Sequence, residues 1–203
     1  MIEIIKELAF PGISNTYKGF REARKAIVTQ MLKDILSLAK AGPGLLHKIN
    51  GIARQLEMNL KIALDEEFET LFPYEELDDW KAAQERQGKA VVKLAEKWGK
   101  LSFIQVVRKI AQFETEAKTV GINYPRLMPA LCWEIAQKIE KRLPWVNTMI
   151  DGELAGELIE PFLRQAAINE ESGWKKAAFE CLNNKNLRWV AIQILLTLQS
   201  HSN

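Results

Sequence analysis

The sequence predicts an all-α fold, a multi-helix bundle of about eight or nine antiparallel helices. Two observations carry this. Nearly every long segment places apolar residues three or four positions apart, the period of an amphipathic helix. No segment flanked by turn residues alternates strictly with period two, and the β-branched pairs Val91-Val92 and Val106-Val107 lie inside helical patterns.

Taken in order, Ile2, Ile5, Leu8 and Ala9 fit one face of a short helix that Pro11-Gly12 stops. From Ile13 to Ala41 the residues Ile13, Tyr17, Phe20, Ile27, Met31, Ile35 and Leu38 keep the helical step, with Ser14 or Asn15 as cap and Gly42-Pro43-Gly44 as stop. A second helix is expected from Leu45 to Leu71, with Leu45, Ile49, Ile52, Leu56, Leu60 and Phe68 inward and a weak point at Gly51. After Pro73 a third carries Leu77, Trp80, Ala83, Val91, Leu94, Ala95 and Trp98. A fourth, Ser102 to Thr119, turns Phe103, Val106, Val107, Ile110 and Phe113 inward. Gly121 to Pro125 reads as a turn. Leu127 to Arg142 is the fifth helix, and Pro144 to Ile150 a shorter one. Glu153 to Asn169 follows with Pro161 as a kink or restart. Gly173–Leu182 and Leu187–Leu198 form the last pair, joined by a polar turn over 183–186. The chain reads as one helical domain, 1–203. Its weakest seam, Thr119–Pro125, would divide an N-terminal bundle (1–120) from C-terminal helices (121–203).

Composition removes several classes. Apolar residues make up 47% of the 203, and formal charge is only +2, so the chain is no disordered tail. Two Cys make neither a disulfide framework nor a four-cysteine zinc site. No run of about 18 apolar residues occurs, and the first ten residues lack a basic leader, so a cytoplasmic chain with no membrane partner and with Cys132 and Cys181 reduced is expected.

Catalytic patterns are sparse. There is no nucleophile elbow, and Ala41-Gly-Pro-Gly44 lacks the Lys-Ser/Thr that a phosphate loop needs. Of the two histidines, His47 is expected at a hairpin end or on the surface, and His201 lies near the last residue. Cys132 and Cys181 sit on apolar helix faces and are expected to be buried and inert. Glu153, Glu157 and Glu160 recur at i, i+4 and i+7, which would offer a hard cation one helix face. The simpler reading is a solvated face. No catalytic residue, cofactor or metal is predicted, and a metal-dependent helical enzyme is the least favoured of three functional readings.

Charge is segregated. Eight acidic residues, Asp65, Glu66, Glu67, Glu69, Glu75, Glu76, Asp78 and Asp79, occur with no basic residue among them. Arg86, Lys89, Lys93, Lys97 and Lys100 then follow at steps of three or four, expected as one stripe opposite Val91, Leu94 and Trp98. Lys18, Arg21 and Lys25 make a second stripe. A row of like charges is locally unfavourable, so either it is a solvated face or it meets phosphates or an acidic protein surface, such as the acidic patch of another copy.

The last pair carries a family likeness. Leu187, Arg188, Val190, Ala191 and Leu195 follow a polar turn in the order of the second helix of a HEAT-type repeat, and Trp174 to Leu182 stands where the first helix would be. Residues 173–198 thus resemble a HEAT-like helical pair, with a faint echo at Phe162 to Ala167. The resemblance implies two closely packed helices, with Leu187, Ile194, Leu195 and Leu198 filling the layer between them. In size, helicity and basic stripes alone, the chain is also similar in type to the small helical subunits of CRISPR effector complexes. The leading expectation is therefore a non-catalytic interaction or scaffold module whose partner is a protein or its own copies. The alternative is a subunit contacting a nucleic-acid backbone.

Overall fold

A computed structural model describes residues 18–38, 41–58, 60–73, 80–122 and 127–200. Within these residues the fold is all-α and contains no strand. The helices are α1 (Lys18–Leu38), α2 (Pro43–Gln55), α3 (Glu66–Leu71), α4 (Trp80–Trp98) and α5 (Phe103–Thr119), then α6 (Met128–Lys138), α7 (Leu143–Asp151), α8 (Gly156–Ile168), α9 (Trp174–Asn183) and α10 (Arg188–Ser200). The helix expected over the first ten residues lies outside the described residues.

Packing runs as a chain of neighbours. Helix α4 lies on α6, α6 on α8, and α8 on α7, α9 and α10, while α5 bridges α2 and α7. One continuous core results, from Phe68 through Trp98, Ile110, Leu131 and Phe162 to Ile194. Aromatic contacts mark its centre: Phe68 stacks on Phe72 at 4.3 Å and meets Phe113 edge-on at 5.3 Å. Trp145 stacks on Phe162 at 5.2 Å. Val28, Leu32, Ile49 and Ile52 form a separate small cluster between α1 and α2.

Helix boundaries follow local chemistry. Ser102 starts α5 with a reciprocal capping box, its hydroxyl accepting from the Gln105 amide while Gln105 Oε1 accepts from the Ser102 amide at 3.0 Å. Four helices end in the same way. After α2, α5, α7 and α8 one residue takes a left-handed backbone (Glu57, Gly121, Glu153, Glu170), and the next amide returns to a carbonyl five residues earlier. This is the Schellman closure.

The single long helix expected over Leu45–Leu71 is instead two helices and an extended link. Glu57 turns the chain at φ 52°, and Asp65 starts α3 by accepting from the Glu67 and Phe68 amides at 3.0 and 2.9 Å. Between them Met58, Leu60 and Ile62 face the small cluster while Lys61 and Ala63 are exposed. This is a period-two segment that the helical reading of Leu56 and Leu60 concealed. The helix expected to reach Arg142 stops at Lys138, because Ile139 is extended (ψ 150°) and Arg142 folds back over the helix end. The buried Arg142 donates from Nε to the Ala136 carbonyl at 2.8 Å and pairs with Glu171 at 2.7 Å. Helix α8 continues through Pro161.

Candidate functional site

Helix α10 is apolar on two sides. Leu187, just before it, and Val190, Ala191 and Ile194 within it are buried against α8 and α9. On the outward side Trp189, Ile192, Leu195 and Leu196 are 40, 45, 46 and 60% exposed. Positions 189, 192 and 196 form one i, i+3, i+7 row, and Leu195 flanks it. Leu195 therefore does not fill the layer between the last two helices, as the repeat pattern implied. Val190 and Ala191 occupy that layer, and Leu195 sits about a quarter-turn from the core-facing direction. Arg188 is the only charged residue of α10, and its Nε donates to the Leu182 carbonyl at 3.1 Å, closing α9. Trp189 is seated: a Cβ built on Gly156 would stand 2.8 Å from its Cζ2. The indole lies on the bare backbone at the start of α8, and the outward row leaves large apolar side chains exposed.

The basic residues divide differently. Arg86, Lys89, Lys93 and Lys97 occupy the exposed side of α4, opposite buried Val91, Leu94 and Trp98, but Lys100 lies past the helix end at Trp98. Four of the expected five therefore share the helix. Lys89, Lys93 and Lys100 form no ion pair among the described residues. Lys97 is committed within the chain, its Nζ lying 2.5 Å from Glu67 Oε1. Of the second stripe, Lys25 is half-buried on α1. The side chains of Lys18 and Arg21 lie outside the described residues.

Glu67 is the point where acidic and basic runs meet. Its Oε2 accepts from Lys109 Nζ at 2.7 Å and from the buried Trp98 indole at 3.1 Å. Lys109 in turn sits 5.3 Å from the Trp98 ring centroid and 5.6 Å from that of Phe113. Burial pushes the Glu67 carboxyl up, but the bonds from Lys109, Lys97 and Trp98 together outweigh it and hold the group below the ordinary glutamate value. The same pair raises Lys97.

The rest of the acidic run is equally local. Asp65 caps α3, Glu66 is exposed, and Glu69 accepts from His47 Nδ1 at 2.6 Å. Glu75, Glu76, Asp78 and Asp79 lie outside the described residues. His47 is 5% exposed, with Phe68 edge-on at 5.6 Å, so it is a buried histidine rather than the hairpin-end or surface residue expected. The carboxylate on α3 makes the burial tolerable.

No protein-family model, no curated protein and no solved structure matches the chain.

Among the described residues, the side chains that the sequence offered for chemistry are not brought together. Glu153 lies in a left-handed turn before α8, while Glu157 is exposed and Glu160 pairs with Arg164. The three glutamates therefore do not share the helix face expected of them, and no group of three metal-ligating side chains forms among the described residues. Cys132 and Cys181 are buried, and burial pushes both thiols up, Cys181 to about 11. A groove of about 390 Å³ between α4 and α6 has a floor of Ala95, Ile135 and Ile139 and a rim of Glu96, Lys100 and Lys138. No thiol or hydroxyl lines it. None of the described helices is long and apolar enough to cross a membrane.

Proposed function

We propose that this chain is a non-catalytic helical interaction module, a scaffold or subunit of a larger assembly. The observation that carries the reading is the outward row Trp189, Ile192 and Leu196 on α10. A contiguous apolar patch with a seated tryptophan at one end is the usual anatomy of a binding hot spot. The HEAT-like resemblance of residues 173–198 supports it, since such helical pairs stack through apolar faces. The test is the mass of the assembly in the cells that express the chain. Tagged native chain should migrate in a complex larger than itself, and the double variant Ile192→Glu with Leu196→Glu should migrate as free chain. Native chain that migrates free would overturn the module reading.

A second reading rests on Lys89, Lys93 and Lys100, exposed and without ion pairs among the described residues. With Arg86, this row suits phosphates on a nucleic-acid backbone, as in the small helical subunits of CRISPR effector complexes that the chain resembles in type. Each contacted phosphate steepens the salt dependence of binding. Single-stranded RNA and duplex DNA at low salt should bind, and Lys89→Glu with Lys93→Glu should weaken binding at least tenfold. Absent binding, or binding indifferent to these changes, removes this reading.

A further inference from the structure

We infer that the outward face of α10 is covered by the same face of a second copy, in an antiparallel two-fold contact. The inference rests on the module reading above and names its partner. The four outward side chains leave on the order of 350–400 Å² of apolar surface open per copy, judged from their exposure and the usual areas of such side chains. Two copies face to face cover roughly twice that. With the polar rim that usually makes up about 35–44% of an interface, the contact would reach roughly 1,200 Å², the lower end of the specific range.

The chemistry fits a second copy better than an unrelated surface. The exposed side of α4 carries Arg86, Lys89, Lys93 and Lys97, and a charged surface of that kind would meet an unanswered apolar row on α10. Here the face is its own complement. Arg188 is the sole charge on α10, and its guanidinium is turned to the Leu182 carbonyl, so two copies approach without opposing like charges. A two-fold axis passing between positions 192 and 193 sets each Trp189 over the Leu196 of the other copy and brings the two Ile192 side chains together beside the axis, each level with the other copy's Gln193. Such contacts are isologous, each residue meeting its counterpart's mate. Antiparallel helices also place opposite dipole ends together. The Trp189 ring is already held by Gly156, so little rotamer freedom is lost on contact.

Light scattering on the purified full chain over about 1–100 µM tests this. The expected mass is twice 23.2 kDa at the upper concentrations, and 23.2 kDa for Ile192→Glu and Leu196→Glu with unchanged helical circular dichroism. Val92→Glu, on the exposed side of α4, should remain a dimer. Should the glutamate variants lose their fold, Gln193→Cys in the otherwise native chain decides. Near the axis it should oxidise to a cross-linked dimer much faster than Val92→Cys. A native chain of 23.2 kDa throughout, a dimer indifferent to the α10 changes, or equal cross-linking at the two cysteines would overturn the second copy. A monomer in isolation that still joins a larger complex in cells, in a manner dependent on Ile192 and Leu196, sinks the second copy and leaves the module.

Discussion

Glu67 ties α3 to α4 and α5 through three donors, of which the buried Trp98 indole and Lys109 matter most. Lys97, 69% exposed, adds little, because a solvated ion pair is screened. Glu67→Gln keeps an acceptor for both inner donors but removes the charge, which should cost about 1–2 kcal/mol at neutral pH. The carboxyl is held below its ordinary value of 4.5, so its contribution is present above that value and is lost as pH falls through the lower folded value. Thermal melts of the native chain and the variant should therefore differ at pH 7 and converge below about pH 4.5. A gap that stays constant to pH 3 would show that the charge is not what stabilises. The residue was only half legible. A buried tryptophan needs an acceptor, and Trp98 was expected inside, but nothing local selects Glu67 among eight nearby carboxylates 19–33 positions back in the chain.

The helices show where periodicity suffices and where it misleads. In α4 and α5 the step of three or four named Val91, Leu94, Trp98, Val106, Ile110 and Phe113, and all are buried. Over Met58–Leu64 the alternating pattern shares Leu60 and Leu64 with the helical step, and the turn at Glu57 and the cap at Asp65 separate the two. Three of the four Schellman closures use glutamate where glycine is favoured, at φ 50–52°. Glu57, Glu153 and Glu170 are exposed and far apart in the chain, so Glu→Gly at each should stabilise by about 0.5–1 kcal/mol, close to additively. A triple variant whose melting temperature does not rise refutes this. Gly44 makes the opposite case: a Cβ there would stand 2.8 Å from the Glu116 backbone oxygen, where α2 crosses α5. Gly44→Ala should destabilise by about 1–3 kcal/mol, read from denaturant midpoints.

At the scale of the molecule, the two apolar clusters are unequal. The large one joins α3 through α10, while α1 is held by the small cluster around Val28 and Leu32. Native-state hydrogen exchange should find the amides of Lys18–Leu38 opening well before those of Gly156–Ile168, and equal protection would contradict the division. The all-α architecture was legible because amphipathic periods add up over long segments. The exposed row of α10 was not, because the helix is apolar on both sides and no sequence pattern says which side the fold uses. Near-neutral net charge conceals a fold that spends part of its acidic run on itself, at Asp65, Glu67 and Glu69. The outward row of α10 has one more consequence, for supply. A stripe of tryptophan, isoleucine and leucine left bare is a handle for aggregation and for quality control. Were a second copy its cover, as proposed, the amount kept in a cell would follow concentration: copies too dilute to pair would be the first to be lost.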